Sequence, residues 1–266
     1  KGNGPGEMFS CALGLHSNAS DNFYLQDSNS KTCYIVDLKT LLNSRKFVPD
    51  EQFRYSSEVL PTSDLCLLDD NRYIGYHMWY LDDKQFSKVD SPLGYYQKGE
   101  DSGKGMDDFP FFVASVNGAR LFKNPQTQEL WTADMHRDAI RIYNDSLKQI
   151  RELVGPDHFS PEYTRRQIDA PVAFVTFADE CDYHAYTDYY ITDKHIYLVY
   201  EGNKHFDMKN LSPVEIFKLD FDGNLLCNYK PDRYVYSISI NKKEDTLYCA
   251  SRSSVMEPPV ILKYKL

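Results

Sequence analysis

A strand-turn-strand unit recurs along the whole of this chain, and it restricts the fold more than any other feature. Near the C-terminus, Tyr234, Tyr236, Ile238 and Ile240 alternate with Val235, Ser237 and Ser239, the period-2 pattern of a strand lying on a core. A polar turn at Asn241-Lys242-Lys243-Glu244-Asp245 leads into a second strand over 246–251, and Val260, Leu262, Tyr264 and Leu266 alternate through a third. The preceding stretch repeats the layout. Residues 187–200 read as strand, Asp/Lys turn and strand, 213–220 as a third strand, and Asp222-Gly223-Asn224 turns into a fourth over 225–229. Earlier copies fall at 111–116, 129–134, 139–143 and 147–153; at 64–68, 73–78, 86–90 and 93–97; and at 9–13, 22–27, 32–38 and 45–48. Their first strands centre near Phe9, Asp64, Phe112, Asp188 and Tyr236, at separations of about 55, 48, 76 and 48 positions.

Four-stranded propeller blades repeat at about 40–50 residues, because each blade buries its faces only against its neighbours. The pattern therefore predicts an all-β propeller. The single domain spans residues 1–266, with approximate blades at 1–57, 58–106, 107–168, 169–230 and 231–266. The longest separation predicts an insertion, which the polar stretch 157–171 supplies. Two segments compete with the strand reading: 146–154 has apolar residues at helical spacing, although its place in the repeat favours a strand, and 37–43 suits a helical turn. Punctuation marks the joints. Gly2-Asn3-Gly4-Pro5-Gly6-Glu7-Met8 is echoed by Val154-Gly155-Pro156-Asp157-His158-Phe159 and by Tyr229-Lys230-Pro231-Asp232-Arg233-Tyr234, each a turn followed by a large apolar or aromatic residue.

Composition narrows the function. A net charge of −9 without a basic stripe opposes nucleic acid, whose phosphates require one. The short basic groups Arg165-Arg166 and Lys242-Lys243 read as solvated turn residues. No run of about 18 apolar residues spans a membrane. Twenty-one Tyr and 15 Phe suit pleated sheet faces. The six cysteines, Cys11, Cys33, Cys66, Cys181, Cys227 and Cys249, lack zinc-like spacing and sit mostly in apolar runs, as small buried hydrophobes do; disulfides stay open in an oxidising compartment.

The chain resembles the TolB-like six-bladed β-propeller proteins common in Bacteroides and related gut bacteria. Four stretches carry the resemblance: the Gly-rich opening 1–8, Asp138-Ala139-Ile140-Arg141-Ile142-Tyr143, Leu153 to Phe159 with Pro161-Glu162-Tyr163, and Val214 to Gly223. In that family the Gly-rich turn ends the first blade. The resemblance thus implies one blade and a closing strand before Lys1, preceded by a signal peptide and often a lipidated cysteine, so that about five of six blades are visible here. It places the protein in the periplasm or at the outer membrane.

No G-x-S-x-G elbow or H-E-x-x-H helix is present, and the Gly2 to Gly6 turn precedes a strand rather than the helix a phosphate loop needs. The reading that follows is a ligand- or protein-binding module of the cell envelope rather than an enzyme, with a saccharide, peptide or protein as partner. Tyr76, Trp79, Tyr80, Tyr95 and Tyr96 are the candidate ligand-binding residues, because flat aromatic faces with polar edges stack on sugar rings and grip peptides. The alternative is a lactonase-like hydrolase holding a divalent cation such as Ca²⁺ in the central channel, which the fold resemblance alone suggests. Its candidate ligands are Asp134, His136 and Asp138, on alternate residues, and the acidic loop Asp179, Glu180 and Asp182 just before His184.

Overall fold

A computed structural model describes residues 12–17, 22–27, 32–44, 47–54, 65–69, 72–76, 93–97, 118–160, 163–167, 173–177, 184–203 and 211–266. The described residues form twenty strands and one short helix, and all the strand pairs are antiparallel. The chain divides into two compact units, Lys1–Phe112 and Val113–Leu266.

The first unit contains a four-stranded sheet in the order β1 (Ala12–Ser17), β2 (Asn22–Asp27), β3 (Thr32–Asp37) and β4 (Glu51–Arg54). Between β3 and β4 lies α1 (Leu38–Ser44), where the sequence suggested a helical turn. Asp37 starts this helix by accepting the Thr40 amide at 2.6 Å on its side chain, the hydrogen bond of a helix N-cap. A three-stranded sheet follows, in the order β5 (Leu65–Asp69), β6 (Arg72–Tyr76) and β7 (Leu93–Gln97). Residues 93–97 pair directly with β6, so they form the third strand and not the fourth; residues 86–90 lie outside the described residues.

The second unit opens with β8 (Ala119–Lys123), β9 (Leu130–Asp134), β10 (Ala139–Tyr143) and β11 (Gln149–Val154). The strand β8 is missing from the sequence reading, whose first strand at 111–116 lies outside the described residues. The segment with helical spacing is β11, an outer strand with mostly exposed side chains. A separate hairpin pairs β12 (Tyr163–Gln167) with β13 (Ala173–Phe177), so Arg165 and Arg166 belong to a strand and not to a turn. Next come β14 (His184–Ile191), β15 (Ile196–Asn203), β16 (Glu215–Leu219) and β17 (Leu225–Tyr229), then the three-stranded sheet β18 (Val235–Ile240), β19 (Thr246–Ser251) and β20 (Val260–Lys265).

Apolar alternation places two cores between these sheets. One gathers Trp131, Ile142, Tyr186, Leu198 and Phe217 between the β8–β11 and β14–β17 sheets; the other gathers Val199, Ile216, Val235, Leu247 and Cys249 between β14–β17 and β18–β20. Each fully buried large aliphatic or aromatic side chain contributes about 1.5–3 kcal/mol. Cys33 and Cys249 are buried free thiols, and burial pushes both up to about 12, so they act as hydrophobes and not as nucleophiles. Gly223 (φ +85°) turns β16 into β17, and a Cβ there would lie 2.6 Å from a Leu153 methyl. This turn lets the two four-stranded sheets approach.

First strands of successive sheets share no backbone ladder, yet β14 touches both β8 and β18. Side chains join them instead. Arg120 donates from Nε to the Thr187 carbonyl at 2.6 Å, Tyr189 donates its hydroxyl to the Leu121 carbonyl at 3.1 Å, and Asp188 accepts the Ile238 amide at 2.9 Å.

Candidate functional site

In the second unit the strands alternate in direction, so their connections collect at two ends. One end carries the 135–138 turn between β9 and β10, the start of β14, the end of β15 and the two joints that follow the outer strands β11 and β17. Most of the unit's buried ionisable groups gather there.

The first joint is residues 155–159. The turn that precedes it in space places Asp138, 1% exposed, beneath it, and the joint closes around that residue. Asp138 Oδ2 accepts the amides of Asp157 at 2.6 Å and His158 at 2.8 Å, while Oδ1 accepts the Tyr186 hydroxyl at 3.2 Å. Its own amide donates to the Phe159 carbonyl, and its carbonyl accepts the Gly155 amide, both at 3.1 Å. Asp157 in turn accepts the Tyr200 hydroxyl at 2.7 Å. Burial first, then the neighbouring carboxylates, push the Tyr186 and Tyr200 hydroxyls well above the usual tyrosine range, so both stay protonated donors.

The second joint, residues 230–234, follows the same plan. Asp232 accepts the Tyr264 hydroxyl at 2.6 Å, and the closing aromatic, Tyr234, donates its hydroxyl to Glu201 at 2.7 Å. The Pro-Asp echoes are thus fasteners in which an aspartate grips a tyrosine of the next sheet or strand. The first copy, at 2–8, lies outside the described residues.

Asp134 is buried beside Asp138 but faces the opposite chemistry. Arg141 reaches its Oδ2 at 2.7 Å and Arg137 at 3.6 Å. Burial outweighs both guanidinium groups and pushes the carboxyl up to about 6. His136 lies edge-on to His184, ring centroids 5.3 Å apart, and His184 Nδ1 stands 3.8 Å from Glu201 Oε2. A polar line therefore runs His136, His184, Glu201, Tyr234 and crosses three sheets.

Asp134 ends β9, whereas His136 and Asp138 lie on the turn between β9 and β10, so the three do not share one strand face. Two arginines hold Asp134 through its Oδ2, and three donors take up Asp138. Among the described residues no three His, Cys, Asp or Glu side chains gather as metal ligands. Asp179, Glu180 and Asp182 lie outside the described residues. Of the aromatic candidates, Tyr76 ends β6 opposite Leu93, and Tyr95 and Tyr96 lie on β7 opposite Ile74 and Tyr73; Trp79 and Tyr80 lie outside.

Glu201, Tyr234, Arg120 and Asp188 escaped the sequence reading. Glu201, Arg120 and Asp188 sit inside apolar or mixed strands and Tyr234 closes a joint, and only the packing of sheets reveals each partner. The same holds at the far end of the sheets for Glu244. Thr192 donates a short hydrogen bond to its Oε1, while Oε2 meets His195 Nδ1 at 2.5 Å, the Tyr197 hydroxyl at 3.2 Å and Lys218 Nζ at 3.3 Å. Burial raises this carboxyl, but the Thr192 and His195 hydrogen bonds, the His195 charge and Lys218 outweigh burial and bring it down to about 2. A carboxyl depressed on folding contributes stability above its unfolded value, and that contribution disappears as pH falls through the folded one. Urea midpoints measured from about pH 5 to about pH 2 should therefore fall more steeply in the native protein than in Glu244→Gln, which has no such proton to take up. Parallel slopes would refute the assignment.

Antiparallel three- and four-stranded sheets packed face to face, with first strands side by side, define a protein of the β-propeller class. The sequence matches the family described as TolB-like 6-blade propeller-like over residues 1–243, and the chain belongs to that family. The fold is similar to that of a member of the DUF4221 family from Bacteroides vulgatus, with a TM-score of 0.52 and 10% identity, covering 99% of this chain and 81% of that one. It is also similar to the extracellular domain assigned to a one-component system of B. thetaiotaomicron, with a TM-score of 0.43 and 9% identity over 90% of this chain. This chain spans 26% of the length of that one. No curated protein matches the sequence. No helix among the described residues is long and apolar enough to cross a membrane.

Proposed function

We propose that this protein is a binding module of the cell envelope, and that its saccharide or peptide ligand seats at the joint end of the second unit. One observation carries the reading: His136, Arg137 and His184 keep 9–20% of their surface exposed at the rim of a rigid, buried hydrogen-bonded frame. Imidazole and guanidinium groups held in that way offer directional donors and acceptors to hydroxyl, amide or carboxylate groups at little entropic cost. Family membership supports the envelope setting. Tyr76, Trp79, Tyr80, Tyr95 and Tyr96 of the first unit are the further candidates for stacking that the residue types suggest. The test is an array of oligosaccharides and peptides, followed by titration of any hit against His184→Ala and Arg137→Ala. Each substitution should weaken binding about tenfold or more, the loss of one charge-assisted hydrogen bond. A hit that both variants bind as tightly as the native protein would place the ligand elsewhere.

A further inference from the structure

We infer that Glu201 is a proton-operated latch between the β14–β17 and β18–β20 sheets, closed on the acid side of neutrality and strained on the alkaline side. Its side chain is 1% exposed. Oε1 accepts the hydroxyl of Tyr234, the residue that closes the second joint and leads into β18, so this one carboxyl holds the entry to the next sheet. Oε2 is buried without a hydrogen-bond partner.

The groups that face it come from every element around it. From β14 come His184, whose Nδ1 is 3.8 Å from Oε2, and Thr187, whose buried hydroxyl also lacks a partner. His136, on the turn between β9 and β10, stands behind His184. Tyr234 comes from the β17–β18 joint, and Arg252, just past β19, acts on Tyr234 through its charge. Among the described residues, no lysine or arginine forms an ion pair with Glu201.

An ionised carboxylate in this setting has lost water at both oxygens and regained one well-formed hydrogen bond, from the Tyr234 hydroxyl, beside weaker pulls from His184 and the Thr187 hydroxyl. Once protonated, the same group retains the Tyr234 contact and becomes a donor, with the Thr187 hydroxyl as a neighbouring acceptor. Burial raises the Glu201 carboxyl against smaller pulls from Tyr234, His184 and Thr187, the direction that such a latch requires. A carboxyl raised on folding binds its proton more tightly in the native state. Its contribution is complete below the unfolded value and is lost as pH rises through the folded one.

The latch is independent of ligand binding at the same end, so ligand-free protein tests it. Amide hydrogen exchange, corrected for the intrinsic rate, is followed over residues 199–203 and 230–235 at about pH 5.5 and about pH 8. In the native protein, protection in these two segments should drop about tenfold at the higher pH, with the Asn144 to Lys148 turn, held by the Asn144 side chain and backbone bonds, as an unchanged reference. Glu201→Gln, a neutral isostere, should keep nearly constant protection. Equal protection at both pH values in the native protein, a drop shared by the reference turn, or a variant that follows the native pH dependence would each overturn the latch. The native profile decides alone if the variant is not recovered folded.

Discussion

Alanine at Gly155 should cost the second unit about 3–5 kcal/mol, read as a shift in its chemical denaturation midpoint, and leave little folded protein at modest denaturant. A Cβ at this position would fall 1.9 Å from Asp138 Oδ1 and 2.7 Å from both Asp138 Cγ and the Tyr186 hydroxyl oxygen. None of these atoms can yield cheaply. Asp138 is fixed by two backbone amides, and Tyr186 is 1% exposed in the core. Relief requires the joint to lift, which separates the Asp157 and His158 amides from their acceptor and moves Asp157 away from Tyr200. A variant within about 1 kcal/mol of the native protein would mean that the joint is not held as tightly as these distances state.

The second large effect concerns the acceptor itself. Asp138→Ala should destabilise the unit by about 3–5 kcal/mol, because it leaves two amides and a buried tyrosine hydroxyl without partners at once. Asp138→Asn should lose less: its carbonyl oxygen still accepts, while its amide nitrogen opposes one of the donors. The ranking native, asparagine, alanine in denaturation midpoint is the expected result. The same pair of variants bears on metal binding. A structural role predicts that added Ca²⁺ leaves all three midpoints unchanged, whereas a midpoint that rises with Ca²⁺ in the native protein alone would restore Asp138 as a ligand.

Strands with strong alternation were legible from residues alone. β10, β17 and β19 coincide with the sequence reading at both ends, and β18 and β20 agree to within one residue; period-2 alternation marks β18 and β20, and the Asp222-Gly223-Asn224 turn marks the start of β17. The strand β8 was not legible. Ala119-Arg120-Leu121-Phe122-Lys123 is short and brings charged residues into alternation with a consecutive Leu-Phe pair, so nothing local separates it from a loop. The strand β12 hid for a related reason: Thr164, Arg165, Arg166 and Gln167 carry polar side chains, and its existence depends on pairing with β13. The joints were legible as punctuation, since Pro and Asp announce turns. What the aspartates do was not, for their tyrosine partners lie 43 and 32 positions away. Glu201 makes the same point for the candidate site. In sequence it follows an apolar run, and only the approach of the Tyr234 joint gives it a role.

The way β14 meets β8 and β18 bears on how this protein yields under load. Within each sheet a pull along the strands must shear many backbone hydrogen bonds together. Between first strands the resistance comes from separate stitches: Arg120 to Thr187, Tyr189 to Leu121, and Asp188 to Ile238. Such stitches break one after another. A molecule tethered at its ends should therefore part along these seams, releasing whole sheets in steps while each remains intact.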